Sequence, residues 1–263
     1  MNKGGDLLVC DSVTKQFGSL AAVKDLSFAA RRGEILGIGG PNGAGKTTLF
    51  DVMSGLNPAT SGRVMLEGQD ITRAPPEAIC HAGIARTFQL NACFDSLTLR
   101  ENVQVGAVFG RASHGLPGLR PSAEAEAATE EALALVGLAD KGGVVAGALP
   151  VLDRKLLMLA GAMATRPRLL LMDEPVGGLT HSETDQMLET VRRIKAQGVT
   201  IILIEHVMRF LVALSDRVMI LHHGERIYEG APSGLVEDRT VVDVYLGEGA
   251  SARLAALLKG ARP

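Results

Sequence analysis

The sequence lacks a strong net charge, and this absence bears on the partners to be expected. Its 27 Lys and Arg residues nearly balance 29 Asp and Glu residues, which gives a net charge of −2 at pH 7. A basic surface that binds DNA is therefore not expected, and we predict no nucleic-acid partner. Apolar residues make up 46% of the chain, which also argues against intrinsic disorder.

Long hydrophobic runs and paired cysteines are missing too. No uninterrupted apolar stretch approaches the roughly 20 residues that a membrane-spanning helix needs, and the start MNKGGDLLVCDS lacks the apolar core of a signal peptide. We therefore expect a cytoplasmic protein. Cys10, Cys80 and Cys93 form no CxxC pair and have no nearby His at metal-ligand spacing. We expect reduced, mostly buried thiols, and neither a zinc site nor a disulfide.

The first third of the chain has the pattern of strands followed by a helix. Residues 7–13, 26–29 and 34–38 are short apolar or alternating runs separated by Gly and charged residues, which is typical of strands. A Gly-rich turn follows the third run. Apolar residues then recur at helical spacing at Leu49, Val52, Met53 and Leu56. The order strand, Gly-rich turn and helix is the context that a phosphate loop requires.

The rest of the chain indicates a helical lobe and a parallel sheet. Residues 110–147 contain turn formers and then an Ala/Glu helix, which we interpret as a lobe inserted into an α/β core. From residue 169 the apolar segments LLLM, TIILI and VMIL alternate with helices, one of them polar at residues 187–196. Continuous apolar strands are usually covered on both faces, so they favour a parallel sheet. A hairpin turn is predicted at His223 and Gly224.

A phosphate-binding loop is the strongest motif. Residues 40–47, GPNGAGKT, match GxxxxGK[ST] at every fixed position. Gly40, Gly43 and Gly45 allow the backbone to curl so that successive N–H groups face phosphate at the start of the following helix. Lys46 would reach the β- and γ-phosphates, and the Thr47 hydroxyl would bind Mg²⁺. The predicted nucleotide-binding set also includes Pro41, Asn42, Ala44 and Thr48. The alternative is an ordinary Gly-rich turn with a surface lysine.

Two carboxylates complete the predicted chemistry. LLLMDEP places Asp173 and Glu174 at the end of an apolar strand, where the ligand crevice of a parallel sheet opens. We expect Asp173 to hold Mg²⁺, directly or through water, and Glu174 to orient and polarise the attacking water. The two acids could instead cap the next helix. With the phosphate loop they predict a hydrolase of nucleoside triphosphates, and the missing guanine-reading motif [NT]KxD does not favour GTP.

These motifs resemble the ATP-binding subunits of ABC transporters over nearly the whole chain. The resemblance implies a P-loop NTPase core with a mostly parallel sheet, an N-terminal antiparallel β subdomain and an inserted helical subdomain. It implies a single domain, 1–263, with the helical subdomain at about residues 95–165 and a C-terminal helical tail at about residues 235–263. ATP and Mg²⁺ are the implied cofactors, and the implied activity is ATP hydrolysis coupled to transmembrane transport.

The resemblance also assigns roles to three residues outside the phosphate loop and the acidic pair. Gln89 in ARTFQ resembles the Q-loop glutamine, which contacts Mg²⁺ and senses the membrane subunit. His206 in LIEHVM resembles the switch histidine that contacts the γ-phosphate during catalysis, although a lone histidine after a strand is usually structural. Phe17 falls where the family stacks an aromatic ring on adenine, and the alternative is a core phenylalanine.

The family signature LSGGQ is degenerate in this chain. The matching residues are Leu149, Pro150, Val151, Leu152 and Asp153. Pro150 offers neither a hydroxyl nor an N–H where the family has serine, and Leu152 replaces a glycine that permits close backbone approach. The stretch is therefore expected to grip phosphate poorly. We expect Asp153 to cap the following helix, with Arg154 or Lys155 offsetting its charge.

Within the family, the chain most resembles the subunits that serve branched-chain amino-acid uptake, on the segments GIARTFQ, TLRENV, IEHVM and LSDRVMILHHGERIYEG. This resemblance implies an importer ATPase, peripheral on the inner face of the plasma membrane, that binds permease subunits through the Gln89 region. Urea, short amides and aromatic acids are alternative solutes. The degenerate signature favours a heterodimer with a second ATP-binding subunit over a homodimer. A soluble non-transport ABC ATPase and a slowly hydrolysing regulatory subunit are further alternatives.

Overall fold

The computed structural model describes residues 5–88, 92–110 and 121–260. Gln89 lies outside the described residues. The chain forms two compact units, Met1–Ala74 with Thr200–Pro263, and Pro75–Val199. Among the described residues, no helix has the length and apolar character needed to cross a membrane.

The described residues form strands and α-helices with the following bounds. The strands are β1 Asp6–Phe17, β2 Leu20–Arg31, β3 Ile35–Gly39, β4 Ser61–Leu66, β5 Gln69–Asp70, β6 Ile84–Thr87, β7 Leu169–Asp173, β8 Thr200–Ile204, β9 Arg217–His222 and β10 Glu225–Gly230. The α-helices are α1 Lys46–Met53, α2 Pro76–His81, α3 Leu99–Phe109, α4 Ala123–Val136, α5 Val151–Ala164, α6 His181–Ala196, α7 Met208–Leu214, α8 Arg239–Val241 and α9 Glu248–Gly260.

The first unit contains an antiparallel sheet and a mostly parallel one. The antiparallel sheet has the strand order β2-β1-β4-β5. In the second sheet, β3 pairs in parallel with β8 on one side and with β9 on the other, and β10 returns antiparallel to β9. Every residue of β3 and β8 is buried, as expected for strands covered on both faces. The predicted antiparallel subdomain and mostly parallel sheet are confirmed.

Two local predictions in this unit have different outcomes. The hairpin turn is confirmed, because His222 pairs with Glu225 across His223 and Gly224, whose φ angles are 50° and 81°. The helix after the phosphate loop is shorter than predicted, because α1 ends at Met53. Leu56 lies outside the helix and is 47% exposed. Gly55, with a φ of 76°, follows the helix end in the left-handed conformation that stops a helix.

The second unit combines two parallel strands with a helical cluster. β6 pairs in parallel with β7, and α3, α4 and α5 pack against one another. α3 and α5 approach closely at Gly106, where an added Cβ would lie 2.2 Å from the Gly161 carbonyl oxygen. The predicted Ala/Glu helix is α4. The polar helix predicted from residue 187 is α6 and begins earlier, at His181, because Thr180 and Glu183 form a capping box there. The predicted domain boundaries at about 95–165 and 235–263 stay predictions.

The cysteines are less uniformly buried than expected. Cys10 is buried in β1, while Cys80 and Cys93 are half-buried, so the expectation of mostly buried thiols holds for one of the three. All three are free thiols. Burial raises the pKa of the Cys10 thiol well above its ordinary value.

Candidate nucleotide site

The phosphate loop joins the end of β3 to the start of α1, and three of its glycines have backbone angles that favour glycine. Gly40, Gly43 and Gly45 have φ angles of 143°, 79° and 99°, which L side chains rarely adopt. A Cβ at Gly40 would lie 2.2 Å from the Leu221 carbonyl oxygen, and one at Gly45 would lie 2.1 Å from the Ala22 carbonyl oxygen. The loop therefore curls against β9 and β2, as predicted from its glycines.

Lys46 is already directed over this loop. Its Nζ donates hydrogen bonds to the carbonyl oxygens of Gly40, at 2.7 Å, and Pro41, at 2.9 Å. Lys46 is buried, whereas the adjacent Thr47 is exposed at the start of α1. No side chain among the described residues caps this helix, whose N-cap is Gly45. The first N–H groups of α1 can therefore donate to an anionic ligand, and a nucleotide phosphate is a ligand of this kind.

The β9–β10 hairpin supports the loop, and the sequence had given this hairpin no role. The Gly224 N–H donates a hydrogen bond to the Ala44 carbonyl oxygen at 3.0 Å, and the Lys24 N–H donates to the Gly224 carbonyl oxygen at 2.9 Å. A Cβ at Gly224 would lie 2.8 Å from the Ala22 carbonyl oxygen. The positive-φ glycine that forms the hairpin is therefore also the residue that lets the hairpin approach β2 and the phosphate loop.

Phe17 is an exposed residue at the end of β1. It is 48% exposed, and the Lys15 Nζ lies 5.1 Å from its ring centroid. The alternative of a core phenylalanine is therefore wrong. An exposed ring with a cation nearby has a surface suited to stacking, but the predicted contact with adenine stays a prediction.

His206 follows β8 beside a fully buried carboxylate. The His206 side chain is 53% exposed, whereas that of Glu205 is 0% exposed. Glu205 Oε2 accepts hydrogen bonds at 2.9 Å from the backbone N–H groups of His206 and Val207, and lies 3.8 Å from His206 Nδ1. Glu205 thus fixes the turn that carries the histidine, a role that sequence analysis did not assign.

Asp173 ends β7 and forms a buried ion pair. Its Oδ2 lies 3.3 Å from Arg86 Nη2, and the two side chains are only 3% and 6% exposed. A buried carboxylate requires such a partner, and sequence analysis had not identified Arg86. Mg²⁺ prefers oxygen ligands and is usually bound by one or two carboxylates with nucleotide phosphates. The described residues contain no cluster of three His, Cys, Asp or Glu side chains, and this mode of binding needs none.

Glu174 has an unusual backbone conformation directly after Asp173. Its φ is 47°, in the left-handed region that favours glycine. Its carbonyl oxygen accepts hydrogen bonds from the Gly177 N–H and from Lys155 Nζ, both at 3.3 Å. Glu174 itself is half-buried. The Glu174 carboxylate, which is predicted to act on water, thus extends from a turn that is held by hydrogen bonds to the backbone carbonyl group of Glu174.

The degenerate signature forms the start of α5, and one prediction about it is wrong. α5 begins at Val151 with Pro150 as its N-cap, so Asp153 lies in the first turn and is not the cap. Neither Arg154 nor Lys155 forms the ion pair that offsets the Asp153 charge. Lys141 does, with its Nζ 2.5 Å from Asp153 Oδ2. Lys141 lies in a 3₁₀ turn that precedes α5, and no sequence pattern links the two residues.

The two basic residues after Asp153 have other partners. Arg154 Nη1 lies 2.9 Å from Asp95 Oδ1, and Nη2 donates to the Gly147 carbonyl oxygen at 3.0 Å. Lys155 is buried and bonds to the Glu174 carbonyl group. This contact was not predicted from the sequence. The sequence nevertheless places Lys155 on the apolar face of α5. A charged group in such a position needs a polar partner, which could have indicated a buried contact.

The chain has a phosphate loop after the parallel strand β3 and an Asp-Glu pair at the end of the parallel strand β7. These features define a P-loop nucleotide-binding protein. The sequence profile described as "ABC transporter" matches residues 23–177. The chain is 32% identical to the high-affinity branched-chain amino acid transport ATP-binding protein BraF of Pseudomonas aeruginosa, over 92% of this chain and 98% of BraF. It is 33% identical to the corresponding protein LivG of Escherichia coli strain K12, with the same coverage.

Solved structures agree with these sequence relatives. A nucleotide-free ATP-binding cassette from an ABC transporter is similar, with a TM-score of 0.80 and 30% sequence identity. The similarity covers 92% of this chain and 100% of the cassette. The ADP conformation of an ATP-binding cassette of an ABC transporter is similar with a TM-score of 0.81 and 29% identity, over 92% and 99% of the two chains. The chain belongs to the ABC transporter family of ATP-binding subunits and is an ATPase of that family. The predicted family and fold class are confirmed.

Proposed function

We propose that this chain is the ATP-binding and ATP-hydrolysing subunit of an importer for branched-chain amino acids. One observation carries the proposal: the similarity to BraF and LivG extends over 92% of a chain whose phosphate loop is complete. Urea, short amides or aromatic acids are the alternative solutes, since related systems carry them. Solute specificity resides in other subunits of such importers, so the uptake assay must be made on the assembled complex.

The proposed residue roles follow the family resemblance. Residues 40–48 bind the ATP phosphates, with Lys46 at the β- and γ-phosphates. Phe17 stacks on adenine and His206 contacts the γ-phosphate. Glu174 orients and polarises the water that attacks the γ-phosphorus as the bond to the bridging oxygen of ADP breaks.

The metal ligands are a separate part of the proposal. The Thr47 hydroxyl, the Asp173 carboxylate and Gln89 are the proposed Mg²⁺ ligands, and Gln89 enters through the resemblance alone. Oxygen donors of these kinds suit Mg²⁺, and the ion pair with Arg86 restricts the orientation of the Asp173 carboxylate. When bound, Mg²⁺ neutralises charge that develops on the phosphates during transfer.

The proposed partners are permease subunits, bound through the Gln89 region, and a second ATP-binding subunit. The proposed location is the inner face of the plasma membrane. The start of α5 supports a heterodimer, because Pro150 offers no donor and the first turn carries a carboxylate. The partner's intact signature would complete the ATP site of this chain. The same observation supports a slowly hydrolysing regulatory subunit as the second candidate.

Affinity purification tests this proposal. The tagged full-length chain is purified with ATP from detergent-solubilised membranes of its native host, and the co-purifying chains are identified by mass spectrometry. We expect a polytopic permease and a second ATP-binding subunit with an intact signature. The recovered complex is then reconstituted in vesicles and tested for ATP-dependent uptake of leucine, urea and phenylalanine. Recovery of soluble partners alone would contradict the proposal that the chain serves an importer. Uptake of urea without uptake of leucine would contradict the proposal that the solute is a branched-chain amino acid.

A further inference from the structure

Lys155 occupies a core position on α5. The apolar residues Leu152, Leu156 and Leu159 are buried on the same side of this helix, and Lys155 is itself only 7% exposed. An ammonium group that leaves water loses its hydration, so it persists in such a position only where protein groups accept its hydrogen bonds. The hydrogen bonds of Lys155, one of which goes to the Glu174 carbonyl oxygen, therefore stabilise a lysine among leucines.

The Lys155 ammonium group contacts the turn that follows β7. Its Nζ donates to the Glu174 carbonyl oxygen at 3.3 Å, and the same oxygen accepts a hydrogen bond from the Gly177 N–H, also at 3.3 Å. Glu174 has a φ of 47°, which a residue with a Cβ adopts only when its surroundings impose it. Two donors thus converge on the carbonyl group of the residue whose backbone is strained.

The geometry points to Lys155 as a positioning residue for Glu174. By holding the carbonyl group, the ammonium group fixes the left-handed conformation and so sets the direction in which the Glu174 carboxylate leaves the turn. This inference rests on the proposed function, in which that carboxylate orients the attacking water. Lys155 is proposed to act on hydrolysis through the backbone of Glu174, whose carbonyl oxygen its ammonium group contacts.

Asp153 and Arg154, the other charged residues at the start of α5, form ion pairs within the second unit, where Lys155 also makes its contact. Asp153 binds Lys141, and Arg154 binds Asp95. The first turns of this helix therefore use their charges to fix neighbouring segments of their own chain. This use explains how a helix with a degenerate signature retains a function in hydrolysis: it supports the glutamate that follows β7.

Hydrogen exchange tests the contact without any need for activity. In the full-length chain without nucleotide, Lys155→Met removes the donor and keeps the length and apolar stem of the side chain. We expect the Gly177 amide to exchange at least about threefold faster, because the turn opens more often when one of its two donors is lost. Lys141→Met is the matched control, since it removes a lysine that binds the first turn of α5, and it should leave this amide unchanged. Equal exchange rates for Gly177 in Lys155→Met and the parent chain would overturn the inference.

Kinetics on the purified complex test the consequence for hydrolysis. Lys155→Met should lower kcat by about 10- to 100-fold while KM for ATP changes by less than about twofold, because a misdirected carboxylate affects the transition state and not ground-state binding. Lys155→Arg should recover part of the activity, since a guanidinium group can also donate to the carbonyl oxygen. A loss shared equally between kcat and KM would contradict a positioning role.

A double variant separates this inference from the proposed function. If Lys155 acts through Glu174, adding Lys155→Met to Glu174→Gln should cause no further loss of kcat. Losses that multiply in the double variant would overturn the positioning role while leaving the proposed function intact. If Glu174→Gln alone retains full activity, the proposed role of Glu174 fails, and the catalytic part of this inference fails with it.

Discussion

The lysine of the phosphate loop is held by the loop itself. The carbonyl oxygens of Gly40 and Pro41 accept its hydrogen bonds at 2.7 and 2.9 Å, and the side chain has little contact with solvent. ATP would offer the ammonium group charged phosphate oxygens, which form stronger hydrogen bonds than neutral carbonyl groups do. These hydrogen bonds hold the Lys46 side chain over the loop, which limits the side-chain entropy that it can lose when ATP binds.

Replacement of this lysine should weaken ATP binding itself. We expect Lys46→Ala to lower ATP affinity by at least about 100-fold, because each hydrogen bond to a charged group is worth roughly 1.5–3 kcal/mol. Isothermal titration of the full-length chain with ATP measures the effect. Lys141→Ala, which removes an exposed lysine of the second unit, should bind ATP as the parent chain does. Unchanged affinity in Lys46→Ala would mean that the phosphate loop has been misidentified.

At the scale of elements, close contact between the phosphate loop and β2 determines which glycines tolerate a side chain. Gly45 and Gly43 both have positive φ angles, of 99° and 79°. Their surroundings differ. A Cβ at Gly45 would lie 2.1 Å from the Ala22 carbonyl oxygen, whereas a Cβ at Gly43 would have no heavy atom of a described residue within 4 Å apart from those of its chain neighbours.

The two alanine variants should therefore differ in stability. Gly43→Ala should lower the free energy of unfolding by about 1 kcal/mol, which is the cost of the left-handed conformation alone. Gly45→Ala adds a clash with backbone and should cost roughly 3 kcal/mol or more. Urea denaturation of both variants without nucleotide measures these values. Equal losses in the two variants would show that the loop shifts away from β2 at no cost.

The capping box of α6 makes a prediction about pH. Hydrogen bonds from the Thr180 side chain and backbone lower the pKa of Glu183, because they favour the ionised carboxylate. A lowered pKa in the folded state means that stability is gained above the unfolded pKa and is lost as pH falls through the folded pKa.

Removal of the cap should therefore matter more at neutral than at acid pH. We expect Thr180→Ala to raise the pKa of Glu183 toward its ordinary value and to lower stability at neutral pH. The difference in stability from the parent chain should shrink once Glu183 is protonated. An NMR titration of Glu183 and urea denaturation at several pH values measure both effects. A stability difference that is independent of pH would contradict the role of the Glu183 charge.

At the scale of the whole molecule, the start of α5 bears on how two such chains would pair. Pro150 is its N-cap and provides no side-chain hydrogen bond, whereas serine is among the best N-cap residues. Leu152 is buried, so restoring a glycine there would remove core contacts. Pro150 is therefore the position at which the signature can be partly restored without loss of packing.

Pro150→Ser should distinguish a homodimer from a heterodimer. If the proposed partner supplies the intact signature, the purified parent chain alone should hydrolyse ATP slowly. Pro150→Ser restores the hydroxyl and should raise this rate several-fold. The dependence of ATPase rate on protein concentration measures the effect, and Pro150→Ala is the control that lacks the hydroxyl. Fast steady turnover by the parent chain, unchanged in Pro150→Ser, would contradict the heterodimer.

The sequence by itself determined the features that depend on neighbours along the chain. The phosphate loop, the buried strands, the hairpin at His223 and the acidic pair after β7 are each specified by a few consecutive residues, since turn chemistry and period decide them locally. The family was recognised for the same reason, because its motifs are short and contiguous.

The tertiary structure alone decided which charges meet. Asp173 pairs with Arg86, 87 positions away, and Lys155 bonds to the carbonyl group of Glu174, 19 positions away. The expected neighbours of Asp153 were wrong because an aspartate in a first helical turn binds whichever cation the preceding loop brings close, here Lys141. Residue spacing describes a single helix or strand and carries no information on contacts between elements, so these partners required the packed structure.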